Sequence, residues 1–498
     1  MSIIEAPDEV GFATSQVHGG ERADGAFGAR ITPIYLSAGF HFDDFAQARD
    51  RFAGDEDGYV YTRAGNPTNA ALERKLAELE RGRDAVVVAS GQAALTLAVL
   101  SVARAGDHEL SAQSIYSGTR SLFTQGFDRL GIEVEFVDDA RDPEEWRGRI
   151  RPNTRAVYAE SIANPTNEVA DLAGIASVAQ AAGVPFIVDN TLATPYLVRP
   201  AEHGADLVVH SASKFLSGHG AALGGVIVDT GTFDWSARPA AFPHLSEPDT
   251  GLQGRSYLEA HGSGAFTAYV RGVTSALLGP VLSPFNAFLI QQGTETLSLR
   301  VQRQSTTAAA IASWLEEQPE VLRVDYAGLA SSPSHELALR YLPRGQGGVL
   351  SFVLAGGEAS AARFYDAVEL FSRMSHIGDT RSLILHPATT THAHLDAETR
   401  ARGRISAGLL RLSIGLEEPD DLVRDLGRGF AALRAGVEEA AAAASVIAAS
   451  ATTASVTAAP PASRTTAASV AASVTASPAA SDLATDAASA AILEGSTR

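Results

Sequence analysis

Between about Asp84 and Val209 the chain alternates short apolar runs with helix-length segments, and this alternation constrains the fold more than any other feature. The candidate strands are Ala85 to Ala89, Ile132 to Val137, Ala156 to Glu160, Phe186 to Val188 and Leu207 to Val209. Helices over 117–130 and 171–182 fit between them. Strands alternating with helices predict an α/β fold: a mostly parallel sheet sandwiched by helices on both faces. Ligands of such sheets bind beyond the carboxyl ends of the strands. The polar residues that stand out lie there: Ser90, Glu160 with Asn164, Asp189 with Asn190, and Ser211 to Lys214.

The flanking regions read differently. Residues 1–60 are rich in Gly, Asp and aromatics and form an N-terminal arm. A turn-rich loop from Tyr61 leads, with Thr68 or Asn69 as cap, into a helix reaching about Arg81, with Leu72, Leu76 and Leu79 on one face. Lys75, between Arg74 and Glu78, falls on the opposite, solvated side. Residues 61–290 make up the large domain, and its 231–290 stretch reads as long and irregular. A helix from Gln291 to about Glu316 opens a smaller α+β domain over 291–435, which contains a strand over Gly348 to Leu354. In the last sixty or so residues Ala, Ser and Thr supply about 70% of the chain, so 436–498 is expected to be a disordered tail.

Charge and composition exclude several classes of function. A net charge of −19 repels phosphate backbones and anionic lipid, so neither nucleic acid nor membrane is expected as a partner. No cysteine is present, which excludes disulfides, thiolate nucleophiles and Cys-ligated metals and fits the cytoplasm. The start, MSIIEAPDEV, lacks the basic and apolar regions of a signal peptide.

Lysine is the rarest cation here: Lys75 and Lys214 are the only two, and every other basic residue except His is Arg. Arg stays charged at any working pH and cannot act as an amine nucleophile or proton shuttle. A lysine kept just after a buried strand therefore points to amine chemistry, such as covalent capture of pyridoxal phosphate (PLP). PLP also needs a carboxylate for its ring nitrogen, an apolar or aromatic clamp, and donors for its phosphate. Asp189 suits the first, although an Asp there also caps a turn. Tyr116 suits the second, although half-buried packing explains it too. Ser90, Gly91, Gln92, Ser211 and Ser213 suit the third, and each is also ordinary turn chemistry. Their joint occurrence favours the PLP site.

Long segments then carry a resemblance. YTRAGNPTNAALERKLAELE, VVVASGQAA, IYSGT, YAESIANPTNEVADL, FIVDNTLATPYLVRP, DLVVHSASKFLSGHG, SLILHPATTTHAHL and LLRLSIGLE resemble the Cys/Met-metabolism PLP enzymes over roughly residues 10 to 435. The resemblance implies an aspartate-aminotransferase-like fold, PLP fold type I. It implies that Lys214 holds PLP, Asp189 pairs with the ring nitrogen, Asn164 sits near the ring hydroxyl and Tyr116 stacks. Gly91, Gln92, Ser211 and Ser213 would hold the phosphate, aided by Tyr61 and Arg63 of a neighbouring subunit, in a dimer of dimers. Arg411 would clamp the substrate carboxylate, with Ser375 and His376 beside it. The stretch Ser375 to Arg381, with Asp379, and the segment around 231–260 resemble the O-acetylhomoserine sulfhydrylase branch. This implies γ-replacement of acetate by sulfide on O-acetyl-L-homoserine. Cystathionine γ-synthase, cystathionine γ-lyase and methionine γ-lyase activities are the alternatives. His376 stands where that branch carries a small polar residue.

Other classes fit less well. His376, His386, His392 and His394 match no zinc spacing, so no metal is expected. No G-x-G-x-x-G opens a helix after the first strand, which argues against a nicotinamide enzyme.

Overall fold

The computed structural model describes residues 10–20, 25 and 27–456; residues 1–9 of the arm and 457–498 of the tail lie outside the described residues. The chain divides into two units, Met1–Val437 and Glu438–Arg498. The first unit holds both sheets and the candidate site.

Four helices in the first hundred residues matter here: α1 (Phe12–His18), α2 (Phe45–Ala53), α3 (Pro67–Leu79) and α4 (Gly91–Leu100). The arm therefore contains helix. α3 is capped by Asn66, two or three residues earlier than the sequence suggests. Pro67 takes the first helical position, and the Asn66 side chain accepts from Thr68 N–H at 2.9 Å. The expected capping residue Thr68 is buried instead, its hydroxyl donating to the Pro33 carbonyl at 2.8 Å. Lys75 also departs from expectation. It is fully buried, its Nζ donating to the Gln16 carbonyl at 3.1 Å and lying 3.7 Å from the Glu295 carboxylate. The reason is tertiary: α1 packs on α3 and covers the face that helical periodicity leaves to solvent.

The main sheet contains β1 (Asp84–Val88), β2 (His108–Ala112), β3 (Glu133–Val137), β4 (Thr154–Glu160), β5 (Phe186–Asp189), β6 (Leu207–His210) and β7 (Gly225–Asp229). Their order across the sheet is β1-β7-β6-β5-β4-β2-β3. Only β7 runs against the others, pairing antiparallel with both β1 and β6. The five expected strands are present within a residue or two. β2 and β7 are additional to them. β2 hides three polar side chains, His108, Glu109 and Ser111, in a strand buried throughout, and β7 sits at the end of the glycine-rich stretch after Lys214.

The stretch 231–290, expected to be irregular, is largely helical, with turns at Tyr257–His261 and Ala265–Tyr269 and a wide π turn at Val270–Ser275. It contributes an aromatic cluster to the core, in which Trp235 stacks on Phe266 at 4.8 Å with Phe242 edge-on. Aromatic anchors hold it where periodicity does not. The helix expected from Gln291 is two helices, Pro284–Thr294 and Leu297–Glu316. At the break the buried Arg300 guanidinium donates to the Gly293 carbonyl at 2.6 Å and the Phe215 carbonyl at 2.8 Å. The loop after Lys214 is thereby fixed to the core.

A second sheet, in order β10-β11-β12-β9-β8, comprises β8 (Val321–Asp325), β9 (Val349–Leu354), β10 (Ser372–Arg373), β11 (Leu383–Leu385) and β12 (Leu409–Ser413). The closing helix, Pro419–Val456, turns Leu422, Leu426, Phe430 and Leu433 into that core. The boundary placed at 436 falls inside this helix, because Ala, the best helix former, dominates the residues beyond it. Among the described residues, no helix is long and apolar enough to cross a membrane.

Candidate active site

A cavity of about 230 Å³ lies at the carboxyl ends of β1, β4, β5 and β6, facing residues of the second sheet. Four strand ends each deliver a different chemistry to it. β1 runs into Ser90, whose hydroxyl accepts from Ala93 N–H at 3.1 Å and starts α4. The first backbone N–H groups of a helix lack intrahelical partners and carry the positive end of its dipole. Here they belong to Gly91 and Gln92, at the cavity wall. Gly91 has to be glycine, since a Cβ there would lie 2.5 Å from Ser211 Cβ. Across from it the Ser211 and Ser213 hydroxyls share a 2.8 Å hydrogen bond, and Ser211 N–H donates to Thr191 Oγ1 at 2.8 Å. N–H groups and hydroxyls converging on one point make a donor set suited to a phosphate.

β4 delivers Glu160, a residue outside the expected site set. Its buried carboxylate accepts Tyr116 N–H at 2.6 Å and Asn164 N–H at 3.1 Å. It thereby fixes the two residues expected at the cofactor ring. Burial, reinforced by the Asp189 charge, pushes its carboxyl well up. Its place at a strand end was the available signal. β5 delivers Asp189, which accepts Thr191 N–H at 2.9 Å. Burial pushes its carboxyl up as well, so a cationic group inside the cavity is what would favour its ionised form. A protonated pyridine nitrogen is such a group.

β6 leads through a short turn to Lys214. Burial, aided by the Arg411 charge, lowers its amine from 10.5 to about 8. Lys214 Nζ stands 3.1 Å from His376 Nδ1. Arg411, on β12, is buried; Nη1 donates to Asn164 Oδ1 at 3.2 Å and Nη2 to the His376 carbonyl at 3.1 Å. Arg411 Nε is buried with no hydrogen-bond partner. An unspent guanidinium N–H at a cavity wall suits a carboxylate ligand. Ser375 lines the rim and is exposed.

Twelve of the expected residues thus line one cavity: Ser90, Gly91, Gln92, Tyr116, Asn164, Asp189, Ser211, Ser213, Lys214, Ser375, His376 and Arg411. Tyr61 and Arg63 do not. Both are exposed; the Arg63 guanidinium lies over the Tyr61 ring at 5.7 Å and donates to the Ala276 carbonyl. Among the described residues there is no group of three or more His, Asp or Glu placed to hold a metal.

Comparison with known proteins identifies the family. The family model described as Cys/Met metabolism PLP-dependent enzyme matches residues 13–431. The chain is 44% identical over 433 residues to an O-acetyl-L-homoserine sulfhydrylase of Corynebacterium glutamicum, covering 86% of this chain and 98% of the relative. It is 42% identical to a homocysteine synthase of Schizosaccharomyces pombe, with 83% and 96% covered. Among solved structures, one described as an O-acetylhomoserine (thiol)-lyase of Campylobacter jejuni superposes with a TM-score of 0.82 at 35% identity, covering 84% of this chain and 99% of that one. That structure carries N′-pyridoxyl-lysine 5′-monophosphate.

Proposed function

Because the chain belongs to the Cys/Met-metabolism PLP-dependent enzymes, we propose that it catalyses γ-replacement, converting O-acetyl-L-homoserine and sulfide to L-homocysteine and acetate. The observation that carries this reading is the convergence of the Lys214 amine, the Asp189 carboxyl and the Arg411 guanidinium on one cavity, in a chain similar to sulfhydrylases over most of its length. The Cγ–O bond breaks with its electron pair leaving on acetate, and a Cγ–S bond forms to hydrosulfide (HS−), which keeps its proton as the homocysteine thiol.

Bound PLP supplies an electron sink for carbanions at the substrate carbons. The chain's own residues do the rest. Lys214 holds the cofactor at rest. Its freed amine would take and return protons at the substrate Cα and Cβ. An amine with a pKa of about 8 is partly free near neutrality, which suits a shuttle. Arg411 receives the substrate α-carboxylate, with Ser375 and His376 beside it. Asp189 would hold the ring nitrogen protonated, Asn164 would meet the ring hydroxyl, and Tyr116 would cover the ring. Ser90, Gly91, Gln92, Ser211 and Ser213 take the phosphate. In domain terms, 61–290 binds the cofactor and 291–435 brings the substrate clamp.

Assembly is read from Tyr61 and Arg63, which stand clear of their own cavity. We assign them to the phosphate of a neighbouring subunit, in dimers paired into a homotetramer. Arg63→Ala and Lys214→Ala, refolded together, should regain part of the activity that each lacks alone; a mixture that stays inactive would refute the shared site. The setting we assign is methionine biosynthesis in the cytoplasm.

The test of the reaction is a product assay on the PLP-loaded protein. O-acetyl- and O-succinyl-homoserine are each paired with sulfide, methanethiol and cysteine. Homocysteine and acetate should form fastest from the acetyl ester with sulfide. Faster cystathionine formation, or elimination from cystathionine or methionine, would replace this reading with one of the alternatives.

A further inference from the structure

Lys214 does not stand alone in the cavity: His376 Nδ1 lies 3.1 Å from its Nζ. The segment carrying His376 is fixed on three sides. Arg411 Nη2 donates to its carbonyl at 3.1 Å, and Gly378 N–H donates to Ser413 Oγ at 2.9 Å. Gly378, at φ +75°, packs so closely that a Cβ would lie 2.6 Å from Phe215 N, the residue after Lys214. The imidazole is therefore held against Lys214 by the backbone on both sides of the contact.

The protonation states depend on donors and acceptors. A protonated lysine amine has only N–H to give, so toward that form the imidazole nitrogen facing it accepts. A neutral imidazole accepting at Nδ1 carries its proton on Nε2. His376 Nε2 is buried and has no hydrogen-bond partner. The charged groups around the pair are Arg411, on both residues, and Asp379, near His376. Glu160, Asp189 and Tyr116 line the same cavity. The Asp379 carboxylate is engaged by Arg381 N–H at 3.0 Å. Burial, with Lys214 next, holds the imidazole down to about 4, so it stays neutral through the working range.

We propose that His376 is a positioning residue for Lys214, whose Nδ1 lone pair holds the lysine amine and favours its protonated form. This rests on the reading of Lys214 as the PLP lysine. Burial and Arg411 both oppose a charge on Lys214; the His376 lone pair is the opposing influence. A flexible four-carbon chain that shuttles protons between two substrate carbons also gains a fixed resting point there.

The scarcity of lysine makes the test direct. In the full-length chain freed of PLP, acylation of Lys214 is followed against pH by peptide mass, and buried Lys75 stays unmodified while the protein is folded. The wild-type midpoint should fall near 8. His376→Leu should lower it by about one pH unit, a tenfold change in the proton equilibrium, for the loss of one hydrogen bond to a charged group. His376→Gln, whose amide oxygen can accept, should restore most of the shift. An unmoved midpoint in a folded His376→Leu protein overturns the proposal. The imidazole tautomer of the wild-type protein, read from 15N shifts, decides the matter should the variants not fold: Nε2–H supports the pairing and Nδ1–H overturns it. A wild type that forms homocysteine while either readout fails sinks this inference alone. A wild type that forms none, with the midpoint shift present, sinks the reaction and leaves the pair.

Discussion

Gly91→Ala probes the proposed phosphate cradle at its tightest contact. A Cβ on Gly91 falls 2.5 Å from Ser211 Cβ, 2.7 Å from its Cα and 2.9 Å from its Oγ. Carbon atoms in contact prefer about 3.5–4.0 Å, so roughly 1 Å must open between α4 and the turn leading to Lys214. Ser211 cannot simply rotate away, because its backbone is the obstacle and its N–H is bonded to Thr191. Overpacking of this kind costs about 1–3 kcal/mol, against a helix gain for Ala over Gly of at most about 1 kcal/mol. The same 1 Å separates the Gly91 and Gln92 N–H groups from the Ser211 and Ser213 hydroxyls. Loss of one hydrogen bond to a charged phosphate costs about 1.5–3 kcal/mol, so PLP should bind at least about tenfold more weakly. The assay is titration of the PLP-free protein with PLP, followed by visible absorbance. Gly148→Ala is the control: nothing lies within 4 Å of that site, in a helix at Pro143–Arg149, so it should bind PLP as wild type and be slightly more stable. Wild-type PLP affinity in Gly91→Ala would refute the assignment of this helix start to the phosphate.

Three other variants test other parts of the site and the chain end. Asp189→Asn should keep PLP but lose most turnover, since an amide cannot hold the ring nitrogen protonated; near-normal kcat would refute the pairing. Lys214→Met should stabilise the PLP-free protein at pH 7 by about 3 kcal/mol. The folded-state amine is lowered from 10.5 to about 8, so the penalty on the native lysine is full below pH 8 and fades as pH rises to 10.5. Urea unfolding at pH 7 and pH 10 checks this, and an equal gap at both would refute it. Truncation after Ala440 should leave steady-state kinetics unchanged, because the core-facing Leu422, Leu426, Phe430 and Leu433 all precede the cut; a large loss of activity would show that the removed segment packs on the rest.

Much of the site was legible because its residues end uninterrupted apolar runs. Phe186 to Val188 and Leu207 to Val209 announce both strands, and Asp189 and Lys214 come within a few residues of their ends. What escaped depends on long-range packing. Glu109 and His108 look like loop residues, and only β3 and β4 on either side make them a strand. Lys75 sits on a polar helix face that an arm some sixty residues upstream covers. Glu160 is conspicuous at its strand end, but its part in fixing Tyr116 and Asn164 needs three-dimensional distances. The contact between Lys214 and His376 joins positions 162 residues apart, and no local pattern encodes it.

The reversed strand β7 also sets a timetable for synthesis. β1 has one neighbour in the sheet, and that neighbour is β7. Ala85 leaves the ribosome about 140 residues before its partner Val228. At roughly 5–20 residues per second, β1 waits on the order of 10–30 s with its Val86, Val87 and Val88 side chains unsheltered by a strand partner. Loop closure over that distance makes edge completion a late event, slow compared with the local β4–β5–β6 pairings. The start of α4, at the cavity wall, comes directly after β1. A nascent chain halted before β7 therefore has Lys214 but not the strand that pairs β1 into the sheet.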